Sequence, residues 1–164
     1  MTILEICAWI ESTALAALVR ESAYGFPILV GIHIIGIIFS VGTLLWVDLR
    51  LLGWGLRKIP VSEVYRSLSP WFVSGFAVMF VSGATLFAGF ATSAYENAYF
   101  RIKMAALLLA AANALVFHIL TQRAATAWDA IPRPPAAVRF AGSVSLALWA
   151  AVILAGRMIS YTMF

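Results

Sequence analysis

Residues 26–53 read FPILVGIHIIGIIFSVGTLLWVDLRLLG. The stretch Phe26–Val47 is 22 residues without a charge, and it closes on Asp48-Leu49-Arg50. A helix of ~20 apolar residues crosses the hydrocarbon core of a bilayer. The run therefore predicts a membrane span over about 26–52. One ionisable side chain, His33, lies inside it. Titratable groups are costly at that depth and mark a site by default. At ~100° per residue, Gly36, Ser40 and Thr43 share its helix face. That stripe is small and weakly polar, so it is expected to face the bundle interior.

Composition agrees with a lipid-solvated chain. The 164 residues are 63% hydrophobic and 11% charged, with mean hydropathy +0.98, whereas soluble domains carry about 25% charged residues. One membrane domain, 1–164, is expected. The net charge of +4 comes from cations flanking apolar runs, which points to topology and not to nucleic acid. Cys7 is the single cysteine, which excludes an internal disulfide and any cysteine-built metal cluster. The start, MTILEICAWIE, lacks the basic segment of a signal peptide and is expected to be retained.

Outward from the first span, residues 2–22 follow the helical period but carry Glu5, Glu11, Arg20 and Glu21. An amphipathic helix along the interface, anchored by Trp9, is expected, with a cap packed over the bundle end as the alternative. Residues 54–70 are predicted as a polar connection closed by Pro60 and Pro70. The second span, about 71–90, is rich in small residues, including Ser74, Gly75, Ser82, Gly83 and Gly89. Small residues let membrane helices approach closely. A short loop with Tyr95, Glu96 and Asn97 leads to a third span, about 101–120. Pro132, Pro134 and Pro135 interrupt the next connection, and a fourth span covers about 138–161. The architecture predicted is all-α: an integral membrane four-helix bundle with an N-terminal interfacial helix. The connections between spans 1 and 2 and between 3 and 4 hold seven of the Lys/Arg side chains, against four on the opposite side. By the positive-inside rule both termini then lie in the periplasm of a cytoplasmic (inner) membrane.

Six residues are candidates for chemistry. His33 is either an axial haem ligand or a neutral histidine bonded to a hydroxyl or carbonyl. Lys103 opens the third span with Ala106, Ala110 and Asn113 on its face; it either snorkels to the headgroups or faces His33, whose depth it matches. His118 closes the third span, roughly 15 Å deeper than His33 at ~1.5 Å per residue, so the two histidines are not expected to share one iron. Arg101 and Arg157 lie at the level of His33 and suit haem propionates, and Met158 is a further candidate ligand. Asp48 and Arg50 are expected at the membrane boundary, paired with Arg66, Glu63 or a lipid phosphate. Asn113 is expected to bond to Ser40, Thr43 or Ser74. No Gly-rich phosphate loop, GxSxG or HExxH motif is present. No catalytic residue is assigned, and no carboxylate relay of the kind an ion pump needs is visible.

The residues also carry a resemblance. Trp9, Glu11, Ser12, Arg20, Glu21, Ser22, Pro27, His33, Gly36, Asp48, Arg50 and Gly53, with Lys103, Met104, Asn113 and Ala114, resemble the pattern of an uncharacterised bacterial family of short four-helix membrane proteins. The first span, with His33, Gly42 and Arg50, and the third, opening on Lys103, are distantly similar to HemJ-type protoporphyrinogen oxidases. There a histidine and a lysine are associated with haem b, which implies His33 and Lys103 here. The Lys103-to-Asn113 helix is also similar to that of CopD-type copper-resistance membrane proteins. The expectation is a membrane-embedded haem b protein for electron transfer or porphyrin oxidation. The alternatives are a cofactor-free accessory subunit, within a homo-oligomer or a larger membrane complex, and a CopD-like copper or solute permease.

Overall fold

The computed structural model describes residues 1–121 and 134–163, and every element among them is helical. These are α1 (Ile3–Glu11), α2 (Ala14–Glu21), α3 (Gly25–Leu52), α4 (Val61–Gly89), α5 (Ala91–Glu96), α6 (Ala98–Thr121) and α7 (Ala136–Thr162). Helices α3, α4, α6 and α7 are long and apolar enough to cross a bilayer. Only 11–28% of their most apolar windows is buried within the protein. Side chains such as Ile38, Phe80, Leu108 and Leu154 point outward. A surface this apolar is stable in lipid and not in water. The chain is a multi-pass helical membrane protein.

The bundle is two antiparallel pairs, α3 with α4 and α6 with α7, joined chiefly where α3 meets α7. Small residues set the first pair. A Cβ built on Gly36 would lie 2.8 Å from the backbone nitrogen of Met79. On the other side of the crossing, a Cβ on Gly75 would strike the backbone of Phe39 and Ser40. The stripe of Gly36 and Ser40 thus faces α4, as its register predicts. Phe76 packs on Trp149 at 5.2 Å and Phe87 stacks on Phe100 at 5.3 Å, tying α4 to α7 and to α6.

Three boundaries differ from expectation. The N-terminal segment is two helices, not one over 2–22. The Ser12 hydroxyl donates to Trp9 O (2.6 Å) and that of Thr13 to Ile10 O (2.7 Å), while Thr13 accepts from Ala16 N–H (3.3 Å). Hydroxyls in this role compete with the helical ladder and start a new helix. The resulting hairpin caps the bundle end: Arg20 donates to Gly89 O (3.1 Å), Thr92 N–H donates to the Glu11 carboxylate (2.8 Å), and Val19 packs on Gly89. Trp9 is exposed. Second, α4 begins at Val61, so most of the polar connection is helical and Pro70 lies inside the helix. Proline cannot donate to the carbonyl four residues back; here that carbonyl is Arg66 O, and the Ser69 hydroxyl donates to it (3.3 Å). Third, the loop before α6 contains the short helix α5. Asn97 then caps α6, its Oδ1 accepting from Tyr99 and Phe100 N–H, and its Nδ2 donates to Thr162 Oγ1 (2.7 Å) at the end of α7. The expected connection through Arg123, Asp129, Pro132 and Arg133 lies outside the described residues.

Candidate functional site

His33 projects from α3 onto α4, where its Nδ1 lies 2.9 Å from Ser82 Oγ. The same hydroxyl is 2.6 Å from Val78 O. A carbonyl oxygen can only accept, and at that distance the hydroxyl proton must lie between the two oxygens. Ser82 therefore has no second proton for the imidazole, and Nδ1–H is the donor in the contact with His33. A neutral imidazole protonated at Nδ1 carries its lone pair on Nε2. The Met79 backbone is a further hydrogen-bond partner of the ring. A glycine receives the ring edge: a Cβ on Gly83 would stand 3.0 Å from His33 Cε1.

Lys103 stands on the other helix pair and within electrostatic reach of His33. It too is received by a glycine, its Nζ 3.7 Å from where a Cβ on Gly156 of α7 would lie. Below it, Ala106 and Ala110 are buried against Trp149 and Val152. Lys103 is half-buried, its side chain lying against α7. His33 and Lys103 thus come from two helix pairs to one level of the bundle, each opposite a glycine.

This geometry belongs to a chain whose residues 8–162 match the profile of DUF6644, a family of unknown function. The chain belongs to the DUF6644 family. Searches of curated proteins and of solved structures return no match.

The remaining predicted positions of this DUF6644 chain sort by depth. Arg101 and Arg157 lie at the capped end, exposed, each folded onto a tyrosine. Arg101 sits 5.1 Å from the centre of the Tyr95 ring and donates to Tyr95 O (2.9 Å). Arg157 sits 4.7 Å from the centre of the Tyr161 ring and donates to its hydroxyl (2.9 Å). Met158 is two residues past Gly156, about 200° around α7, and is turned away from Lys103. His118 is exposed near the opposite end of α6. No three His, Cys, Asp or Glu side chains converge on one point among the described residues.

Two expectations near the far end of α3 are corrected. Asp48 and Arg50 are 3% and 2% exposed, drawn inside the bundle and not out at the boundary, and among the described residues they make no ion pair with Arg66 or Glu63. Asp48 meets the Ser145 hydroxyl on α7, and Arg50 Nε donates to Ile59 O (2.8 Å). The sequence register places Asp48 on the face that closes on α7, where Gly142 admits the neighbouring helix. Asn113 Nδ2 donates to Ala141 O (3.1 Å) on α7, not to α3 or α4, because α6 packs chiefly on α7. Gly156 and Ser145 are residues at these sites that the sequence does not single out, and Ser82 and Gly83 are legible there only as small residues for close helix packing. Their signal is only that they are small residues at helical spacing in otherwise bulky spans.

Proposed function

We propose that this chain is a membrane-embedded haem b protein, with His33 as an axial ligand. The observation that supports the reading is the Val78–Ser82–His33 chain of hydrogen bonds, which is equally the bond expected of a neutral core histidine. It commits the Nδ1 proton to Ser82 and leaves Nε2 as the donor atom. Metal-bound histidines characteristically donate their other ring N–H in this way. The donors fit the group in kind: an imidazole nitrogen from α3 and an amine from α6 at the same level, with the space at Gly83 and Gly156 taken up by the imidazole and the lysine themselves. Lys103 would hold the group from α6, as a second nitrogen donor or as a contact to the porphyrin. Arg101 and Arg157, at the rim of the same end, would be the residues to hold propionates.

When bound, haem supplies a one-electron couple to the membrane interior. The chain's own contribution is to orient His33 and to bring the Lys103 amine to its level. The resemblance to HemJ-type protoporphyrinogen oxidases read from the sequence at His33 and Lys103 would extend this reading to porphyrin oxidation or electron transfer. The orientation favoured by charge puts both termini and the His33 level on the periplasmic side of a cytoplasmic membrane.

The test is reconstitution of the purified protein with haem, followed by the pyridine haemochrome assay. One haem per chain, lost in His33→Ala, is expected. A featureless spectrum after haem supply would turn the assignment to a cofactor-free accessory subunit, recognisable by a stoichiometric membrane partner. Copper without iron by metal analysis would turn it to a CopD-like permease.

A further inference from the structure

The far end of the bundle holds a second polar group, unrelated to the His33 level. Asp48 lies 15 residues beyond His33 in the same helix, about 22 Å away along its axis. Its side chain is 3% exposed, and its Oδ2 has no hydrogen-bond partner. The helix α7 closes over it. A Cβ on Gly142 would sit 3.4 Å from Asp48 O and 3.3 Å from Leu51 Cβ, so the two backbones are nearly in contact. The same end of the bundle holds one apolar cluster, Val47, Leu51, Val61, Val64 and Val138. The single polar side chain from α7 is Ser145, itself 9% exposed.

Among the described residues no cation compensates the carboxylate. Among the described residues Asp48 makes no ion pair. Arg50 follows two positions later, about 200° around the helix, and spends its Nε on Ile59 O. Its Nη1 also lacks a partner. The other charged or titratable side chains described at this level are Arg57 and Lys58 after α3, Glu63, Tyr65 and Arg66 on α4, Arg139 on α7 and His118 on α6, and all seven are exposed. An isolated carboxylate among apolar side chains costs far more than one hydroxyl returns. It is held only with a positive charge of its own.

We propose that Asp48 is a proton-binding site in the membrane domain, with Ser145 as its hydrogen-bonding partner. The proton is the cation that this geometry accepts. A metal cation takes roughly six oxygen ligands or more, whereas one carboxylate and one hydroxyl are present among aliphatic side chains. Asp48 lies about 6 Å of helix from the end of α3 at Leu52, so the proton comes from the aqueous phase on that side. One proton adds to one carboxylate oxygen to give a carboxylic acid, and the reverse step returns it; nothing is oxidised or reduced. The site stands whether or not a cofactor occupies the His33 level.

The experiment is infrared spectroscopy of the full chain in lipid nanodiscs at neutral pH, in water and in deuterium oxide. The expected result is a carbonyl-stretch band of a protonated carboxylic acid that shifts on deuteration and is lost in Asp48→Asn. Ser145→Ala should keep the band and move it to higher frequency by removing the hydrogen bond. If Asp48→Asn does not fold, that Ser145→Ala shift carries the assignment alone. A wild-type spectrum without the acid band at neutral pH overturns the proposal. So does a band that disappears when sodium or potassium is added at constant pH, which would make the site a metal-cation site.

Discussion

Replacing Gly75 by alanine tests the packing that holds His33 against α4. The new methyl group would enter the space of the Phe39 and Ser40 backbone. Backbone cannot swing aside as a side-chain tip does, so α3 and α4 must separate. Overpacking a tight contact costs about 1–3 kcal/mol, and a backbone clash belongs at the upper end. Alanine returns about 1 kcal/mol through its better helix propensity, which leaves a net loss of about 2 kcal/mol. Gly42, on the same helix as His33, supplies the control, because a Cβ there meets nothing within 4 Å. Gly42→Ala should therefore gain up to about 1 kcal/mol. The two variants should differ by about 3 kcal/mol, roughly a hundredfold in the unfolding equilibrium. Titration of mixed micelles with SDS, read by tryptophan fluorescence, measures this: Trp149 is buried against Phe76 and reports the loss of packing. Equal midpoints for Gly75→Ala and Gly42→Ala would refute the close-approach argument.

Other consequences are equally direct. Ser82→Ala removes the acceptor for the His33 Nδ1–H and should weaken haem binding by about 10- to 100-fold, the usual cost of a lost outer-shell partner; haem titration measures it. Arg20→Ala removes two hydrogen bonds that pin the N-terminal hairpin, to Gly89 O and Glu11 O, each contributing about 0.5–1.5 kcal/mol. Amide exchange by mass spectrometry should speed up over residues 3–21 and stay unchanged over 25–52. For topology, Arg57→Cys and Tyr161→Cys in a Cys7→Ser background should be labelled by an impermeant maleimide from opposite sides of the membrane, with position 161 on the periplasmic side.

Much of this arrangement is legible in the amino-acid order, for a physical reason. A bilayer demands long uncharged helices, so Phe26–Val47 declares a span without reference to any neighbour. Depth is likewise arithmetic along a helix, which is why His33 and Lys103 fall at one level and His118 does not. What does not follow from the sequence is rotation and partnership. Ser12 and Thr13 look like ordinary helix residues until their hydroxyls turn back onto Trp9 and Ile10 carbonyls. Pro70 looks like a boundary, yet Ser69 satisfies the carbonyl that proline leaves open. Asn113 is equally placed by register to bond in several directions, and only the preference of α6 for α7 selects Ala141. Asp48 sits next to the interface by count but faces inward, because Gly142 and Ser145 make a helix face that closes over it.

The most direct test of the central claim is the visible spectrum of the detergent-purified protein, oxidised and then dithionite-reduced, from cells supplied with haem. The account predicts a Soret band with sharp reduced α and β bands at about one haem per chain, absent in His33→Ala and largely kept in His118→Ala. A spectrum that survives the loss of His33, or that the two substitutions abolish equally, would contradict it.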